Sequence, residues 1–286
     1  MPQGDASNRR ANGRTVSVLG PAMVDGASLS RRQRQIMAVL ALHADQATST
    51  DRLIDAVWSG TPPKSARPSL QNQIARLRSE FGPSIIRTGP DGYRLGGATD
   101  VEEFAAIARI PTSTPGLPAD VVSRLERAMT LWRGRPYDDI EDVDGVDAAR
   151  AQLEELHALV EERLAAHRLA IGDAAVHLDE LASLVASEPY REHRWALLMT
   201  GLHRAGRTTE ALEAFERLRT MLDDELGTAP TYELERLRGS IRRDALVAPA
   251  PAVDLRDDAV PASDSRGRRS GCGRRSPRLH RTCASA

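Results

Sequence analysis

Two hydrophobic periodicities alternate along the first hundred residues. Val16-Ser17-Val18-Leu19 is apolar and β-branched and is followed by the turn signal Asp25-Gly26, which predicts a strand near residue 16. Ser30, with Gln33 at the third position after it, forms a capping box. Ile36, Met37, Leu40 and Ala41 then keep helical spacing to about His43. A second helix is predicted from Ser49-Thr50, with Asp51 in its first turn favoured by the helix dipole and Leu53, Ile54, Val57 and Trp58 on one face. It stops at Ser59-Gly60-Thr61-Pro62-Pro63. The third helix follows those prolines and runs to about Phe81-Gly82-Pro83, with Leu70, Ile74, Leu77 and Phe81 forming a one-sided stripe. Ile85-Ile86-Arg87-Thr88, the turn Gly89-Pro90-Asp91-Gly92 and Tyr93-Arg94-Leu95 read as a hairpin with basic residues near its tip.

Thr112–Pro118 is a Pro/Thr-rich break, either a linker or a loop. Beyond it the spacing is helical over Val121–Trp132, Asp147–Leu169, Ala174–Ala186, Glu192–Ala205, Thr208–Leu226 and Thr231–Ile241. Paired helices joined by short turns, with Ala211 and Phe215 four apart on one of them, point to tetratricopeptide-like stacking, with a plain helical bundle as the alternative. From Ala248 the composition shifts to Ala/Pro/Asp and then to Ser-Arg-Gly-Arg-Arg-Ser, which cannot bury a core. The expected fold is therefore mainly α with small β elements. Residues 1–14 form a disordered N-terminus and 15–97 a winged helix-turn-helix. An all-α, tetratricopeptide-like domain follows over 100–245, and then a disordered Arg-rich tail over 246–286.

Charge sharpens this division. The 286 residues carry 39 basic and 40 acidic side chains, a near balance that hides a gradient. Residues 1–99 hold 13 basic and 7 acidic groups (+6), residues 100–250 hold 18 and 29 (−11), and residues 251–286 hold 8 and 4 (+4). A basic front joined to an acidic middle implies that the front meets a polyanion. Apolar runs fall short of the ~20 residues of a spanning helix, and Met1–Arg14 has no apolar core for a signal peptide, so no membrane association and a cytoplasmic location are expected. The two cysteines, Cys272 and Cys283, both lie in the tail, which leaves no disulfide framework.

The chemistry concentrates on the third helix. At 100° per residue, the face opposite its apolar stripe presents Ser65, Pro68, Ser69, Asn72, Arg76 and Ser79, with Gln73 on the flank. Asn and Gln can pair bidentately with adenine, and Arg with guanine, in a major groove that admits one helix. An ordinary solvated helix face is the competing reading. A preceding helix across a tight turn, and a following hairpin with Arg87 and Arg94 placed for phosphates or a minor groove, favour a winged helix-turn-helix.

The order and spacing of VSVLGP, RRQRQIMAVLALHA, TDRLIDAVW, PPKSARPSLQNQIARLRSEFG and DGYRL over residues 16–95 resemble the winged-helix DNA-binding domain of response regulators. DVEEFAAIA, LWRGRPYDDI, GRTTEALEAFERLR and ELGTAP over residues 100–230 resemble the bacterial transcriptional activation domain. Together they are similar to the Streptomyces antibiotic regulatory protein family. The resemblance implies a transcriptional activator of a biosynthetic gene cluster. Such a protein binds direct repeats of double-stranded DNA at promoters, as a homodimer or as tandem copies, and recruits RNA polymerase holoenzyme. It further implies Ser69, Asn72, Gln73 and Arg76 as base-edge contacts, Lys64, Arg67 and Arg78 as phosphate contacts, and Tyr93 and Arg94 in the wing. Pro68 departs from the polar residue usual early in that helix. Proline is tolerated in a first turn but cannot donate an N–H to a phosphate, which bears on docking angle and base preference.

No enzyme, cofactor or metal motif emerges. Walker A and nucleophile-elbow patterns are missing, and the acidic run Asp138–Asp144 lacks the glycine and terminal glutamate of an EF-hand. Cys272, His280 and Cys283 offer three ligands and no fourth. The histidines at 157, 167, 177, 193 and 203 read as surface or packing residues, and Trp132 and Trp195 as core. The alternative function is a helical-repeat interaction scaffold, or a repressor, with only non-specific DNA affinity.

Overall fold

The computed structural model describes residues 13–110, 119–172 and 174–247, with side chains as far as residue 244. The Pro/Thr-rich break, most of the expected N-terminal arm and the tail beyond residue 247 lie outside the described residues.

Strand β1 (Thr15–Ser17) runs antiparallel to β2 (Met23–Val24), which turns through Asp25-Gly26 into β3 (Ala27–Ser28). Helix α1 (Arg31–Leu42) starts at the expected capping box, where the Ser30 amide donates to Gln33 Oε1 at 2.9 Å. Helix α2 (Thr50–Trp58) is capped by Ser49, whose hydroxyl accepts from the Arg52 amide, and it ends with Ser59 in the left-handed region. Helix α3 (Ala66–Phe81) buries Leu70, Ile74, Leu77 and Phe81, the stripe read from the sequence. Its first backbone bond runs from the Ser69 amide to the Ser65 carbonyl, so Pro68 occupies a first-turn position whose N–H would have no intrahelical partner.

The wing pairs β4 (Ile86–Gly89) with β5 (Gly92–Leu95). Thr48 adds an antiparallel bridge to β5, with its amide and carbonyl bonded to those of Tyr93 at 2.8 and 2.9 Å. Gly92 is required there, because a Cβ would lie 2.1 Å from the Thr48 carbonyl oxygen, at a φ of +125° that side chains rarely adopt. Strand β6 (Ala98–Thr99) returns parallel to β1 and completes a four-stranded sheet of order β3-β2-β1-β6.

The helical half consists of α4 (Asp100–Ala108), α5 (Ala119–Leu131), α6 (Val146–Ile171), α7 (Leu178–Ser187), α8 (Glu192–Arg204), α9 (Thr208–Leu226) and α10 (Tyr232–Val247). α8 packs against both α7 and α9, the successive stacking of a tetratricopeptide-like array. α4 is a helix that the spacing analysis did not assign. Ala174–His177 is a 3-10 turn leading into α7, where one helix was predicted.

The cores do not follow the break between the basic and acidic segments. One apolar cluster runs from Val16 to Leu164 and joins the sheet, α1–α3, the wing, α4, α5 and α6 as far as Leu164. A second runs from Ala165 to Ile241 around α7–α10. The division falls inside α6. Trp132, half-buried, packs against the first cluster at 5.4 Å from Phe104 and 4.2 Å from His157, while Trp195 lies in the second with its indole N–H on the Pro189 carbonyl.

The seam between basic and acidic segments is hydrogen-bonded as well as packed. Val18 and Leu19 are wholly buried, and their amides donate to the two oxygens of Asp100 at 2.8 and 3.2 Å. Their carbonyls accept from the amides of Tyr137 and Arg133 at 2.8 and 2.7 Å. Gly20 lies so close to Arg133 that a Cβ would stand 3.0 Å from the arginine's Cβ. Asp139 accepts from the Ala22 amide and from Arg34 Nε, both at 2.6 Å. Arg150, buried, shapes the loop before α6 by donating to the carbonyls of Pro136, Tyr137 and Ile140. In the second cluster Arg194, 1% exposed, donates to Glu161, Glu162, Ser187 and the Leu184 carbonyl. Burial pushes the Asp100 carboxyl up from its ordinary value, against the pull of the Val18 and Leu19 amides and Arg133.

Replacing Asp100 by alanine strands two buried amides, so the Asp100→Ala variant is expected to lose about 2–4 kcal/mol of stability, measured by urea unfolding. His157 packs beside Trp132 and Phe104, with ring centroids 4.2 and 6.4 Å away, and burial, aided by the charge of Arg194, lowers its pKa from 6.5 to about 4. The folded state thus resists a proton that the unfolded chain accepts, and stability present above about pH 6.5 drains away as pH falls toward 4. Between about pH 7.5 and pH 5 the wild type is expected to lose roughly 2 kcal/mol more than His157→Phe, read from paired urea titrations.

Candidate nucleic-acid interface

α3 divides into a buried stripe and an outer face because polar side chains alternate with the stripe at helical spacing. Lys64, Asn72 and Arg76 are exposed, and Ser69 and Gln73 sit half-buried on the flank. Among the described residues Lys64, Ser69, Asn72, Gln73 and Arg76 have no side-chain hydrogen bond or ion pair, so their donors and acceptors face solvent.

The other candidates are differently placed. Arg67, in the first turn of α3, donates from Nη2 to Asp51 Oδ1 at 2.6 Å, with both side chains exposed. Arg78 is engaged within the protein: its Nε donates to the Ile86 carbonyl at 2.9 Å and its Nη2 to Thr88 Oγ1 at 2.7 Å, which ties the last turn of α3 to β4. Arg87 and Arg94 are register partners across the hairpin and both are half-buried. Tyr93 is half-buried and packs against the first core.

The acidic run Asp138–Asp144 is engaged within the protein. Asp139 takes Ala22 and Arg34, Glu141 takes Arg135 and Arg150, and Asp144 takes Arg52 at 3.1 Å. Among the described residues no group of three or more His, Cys, Asp or Glu side chains is arranged to hold a metal ion. No helix among them is long and apolar enough to cross a membrane. Two features escaped the sequence reading, the Asp51–Arg67 pair and the inward turn of Arg78. Neither has a local signal, because the partners lie 16 and about 10 positions apart on different elements.

Residues 25–95 match the family described as transcriptional regulatory protein, C terminal, and residues 99–242 match the bacterial transcriptional activator domain. Regulatory protein DnrI of Streptomyces peucetius is 34% identical over 271 residues, covering 87% of this chain and 98% of the relative. Transcriptional regulator RedD of Streptomyces coelicolor is 32% identical, covering 87% and 76%. Among solved structures, Mycobacterium tuberculosis EmbR in complex with a low-affinity phosphopeptide superposes with a TM-score of 0.66 at 28% identity, over 81% of this chain and 65% of that one.

The bonds from Arg78 to the wing give an expected outcome. Arg78→Ala removes two charge-assisted bonds worth about 1.5–3 kcal/mol each at most. Hydrogen exchange of the amides in β4 and β5 is expected to quicken, while those in the middle of α3 keep their protection.

Proposed function

The chain belongs to the Streptomyces antibiotic regulatory protein family of transcriptional regulators, and on that premise we propose that it is a sequence-specific activator of a biosynthetic gene cluster. α3 enters the major groove and reads bases through Ser69, Asn72, Gln73 and Arg76. Lys64, Arg87 and Arg94 meet phosphates or the adjacent minor groove. Arg78 acts through the wing, which it holds against α3.

One observation carries this reading. The outer face of α3 has its amide and guanidinium groups unpaired within the described protein, while the opposite face is packed into the core. Free amide and guanidinium groups on a rigid helix are what bidentate base recognition needs. One helix reads too few base pairs for useful discrimination in a genome, so two copies bind direct repeats spaced by about one helical turn, as a homodimer or as tandem copies. The helical half then contacts RNA polymerase holoenzyme, and the protein works in the cytoplasm. The names of DnrI and RedD, a regulatory protein and a transcriptional regulator, support the regulatory part of this reading.

A gel-shift titration at several salt concentrations tests it, using DNA upstream of neighbouring genes. The variant carrying Asn72→Ala and Arg76→Ala is expected to bind the specific site at least tenfold more weakly, since each bidentate pair discriminates by about 1–3 kcal/mol, and to keep weak, salt-sensitive binding to random DNA. Equal, weak binding to every sequence by both proteins would favour an interaction scaffold.

A further inference from the structure

A second feature of α3 concerns the arginine at its N-terminal end. Arg67 stands in the first turn, where the helix dipole disfavours a positive charge, and no acidic residue of α3 offsets it there. The offset comes from α2, whose Asp51 meets the guanidinium at 2.6 Å. That aspartate is 78% exposed, and burial does not account for the contact. Both choices oppose simple expectations: a cation at a helix N-terminus, and an anion beside a surface meant for a polyanion.

We propose that Asp51 is a positioning residue that makes Arg67 a base reader instead of a phosphate contact, so that the Asp51–Arg67 pair is a determinant of DNA specificity. The inference rests on the DNA-reading function proposed above. In a helix-turn-helix the N-terminal residues of the recognition helix approach base edges. An unrestrained arginine there swings to the nearest phosphate, which carries no sequence information. Held through one Nη2 hydrogen by Asp51, the guanidinium keeps four N–H donors, enough for bidentate pairing with O6 and N7 of a guanine. The exposed carboxylate also repels phosphate, so binding in a wrong register is weakened more than binding in the right one. Asp51 thereby lowers general affinity for DNA and raises discrimination.

The test selects a randomised duplex library on the full-length protein, then measures binding of the enriched duplex and of mixed-sequence duplex by the wild type, Asp51→Ala, Asp51→Asn, Arg67→Ala and the double alanine variant. Circular dichroism melting confirms that each is folded. Asp51→Ala is expected to hold or gain affinity for mixed-sequence DNA while the ratio of enriched to mixed binding falls about tenfold, with the lost preference confined to one G·C pair. Arg67→Ala is expected to lose the same preference, with the double variant no worse than either single one, and Asp51→Asn to retain part of it because its carbonyl oxygen still accepts from Nη2. If Arg67→Ala weakens all duplexes equally and lowers the salt slope by about one, Arg67 is a phosphate contact and the inference fails. Unchanged discrimination in Asp51→Ala overturns it as well. Lack of any enrichment by the wild type overturns the DNA-reading function and this inference with it.

Discussion

The buried peptide groups of Val18 and Leu19 constrain the rest of the molecule. Two amides and two carbonyls lie wholly out of water, where each unpaired group would cost about 1–3 kcal/mol. All four are satisfied by residues from the acidic half: the Asp100 carboxylate, and the backbone amides of Arg133 and Tyr137. The N-terminal sheet is thus completed by a helix start and a loop more than 80 and 110 positions away. Sequence VSVLGP, DVEEF and LWRGRPYDDI are parts of one hydrogen-bonded structure, and the close approach at Gly20 leaves no room for a side chain between them.

That arrangement determines how the two functional halves relate. Because one apolar core passes from β1 through α3 to Leu164 in α6, α3 and the start of the helical array have a fixed mutual placement. A winged helix of some 80 residues buries a small core by itself, and sharing one with α4–α6 enlarges it. Arg150 and Asp139 extend the same logic to the loop between α5 and α6, whose polar backbone is held by arginine and whose carboxylate reaches back to Ala22 and Arg34.

On α3, packing and recognition compete for a single helix. The stripe of Leu70, Ile74, Leu77 and Phe81 anchors it, Arg78 secures the wing, and Pro68 uses a position where no backbone bond is lost. What remains for a partner is a narrow set of side chains without obligations inside the described protein.

Much of this was legible in the residues alone. The capping box at Ser30, the Ser49 cap, the apolar stripe of α3 and the hairpin turn are local patterns, since a helix or hairpin repeats its chemistry within a few positions, and all appear where the spacing placed them. The face of α3 that carries Asn72 and Arg76 followed from the same periodicity. What escaped was long-range. α4 is short and apolar on more than one side, and β6 has two residues, so neither carries a period of its own. The shared core, the turn of Arg78 onto the wing and the pairing of Asp51 with Arg67 depend on which distant elements meet. The sequence by itself determined most of the elements, their order and which face of α3 is polar. Only the tertiary structure decided which arginines are free to leave the protein and which are already bound, because side-chain partners are chosen by proximity in space and periodicity records proximity along one element alone.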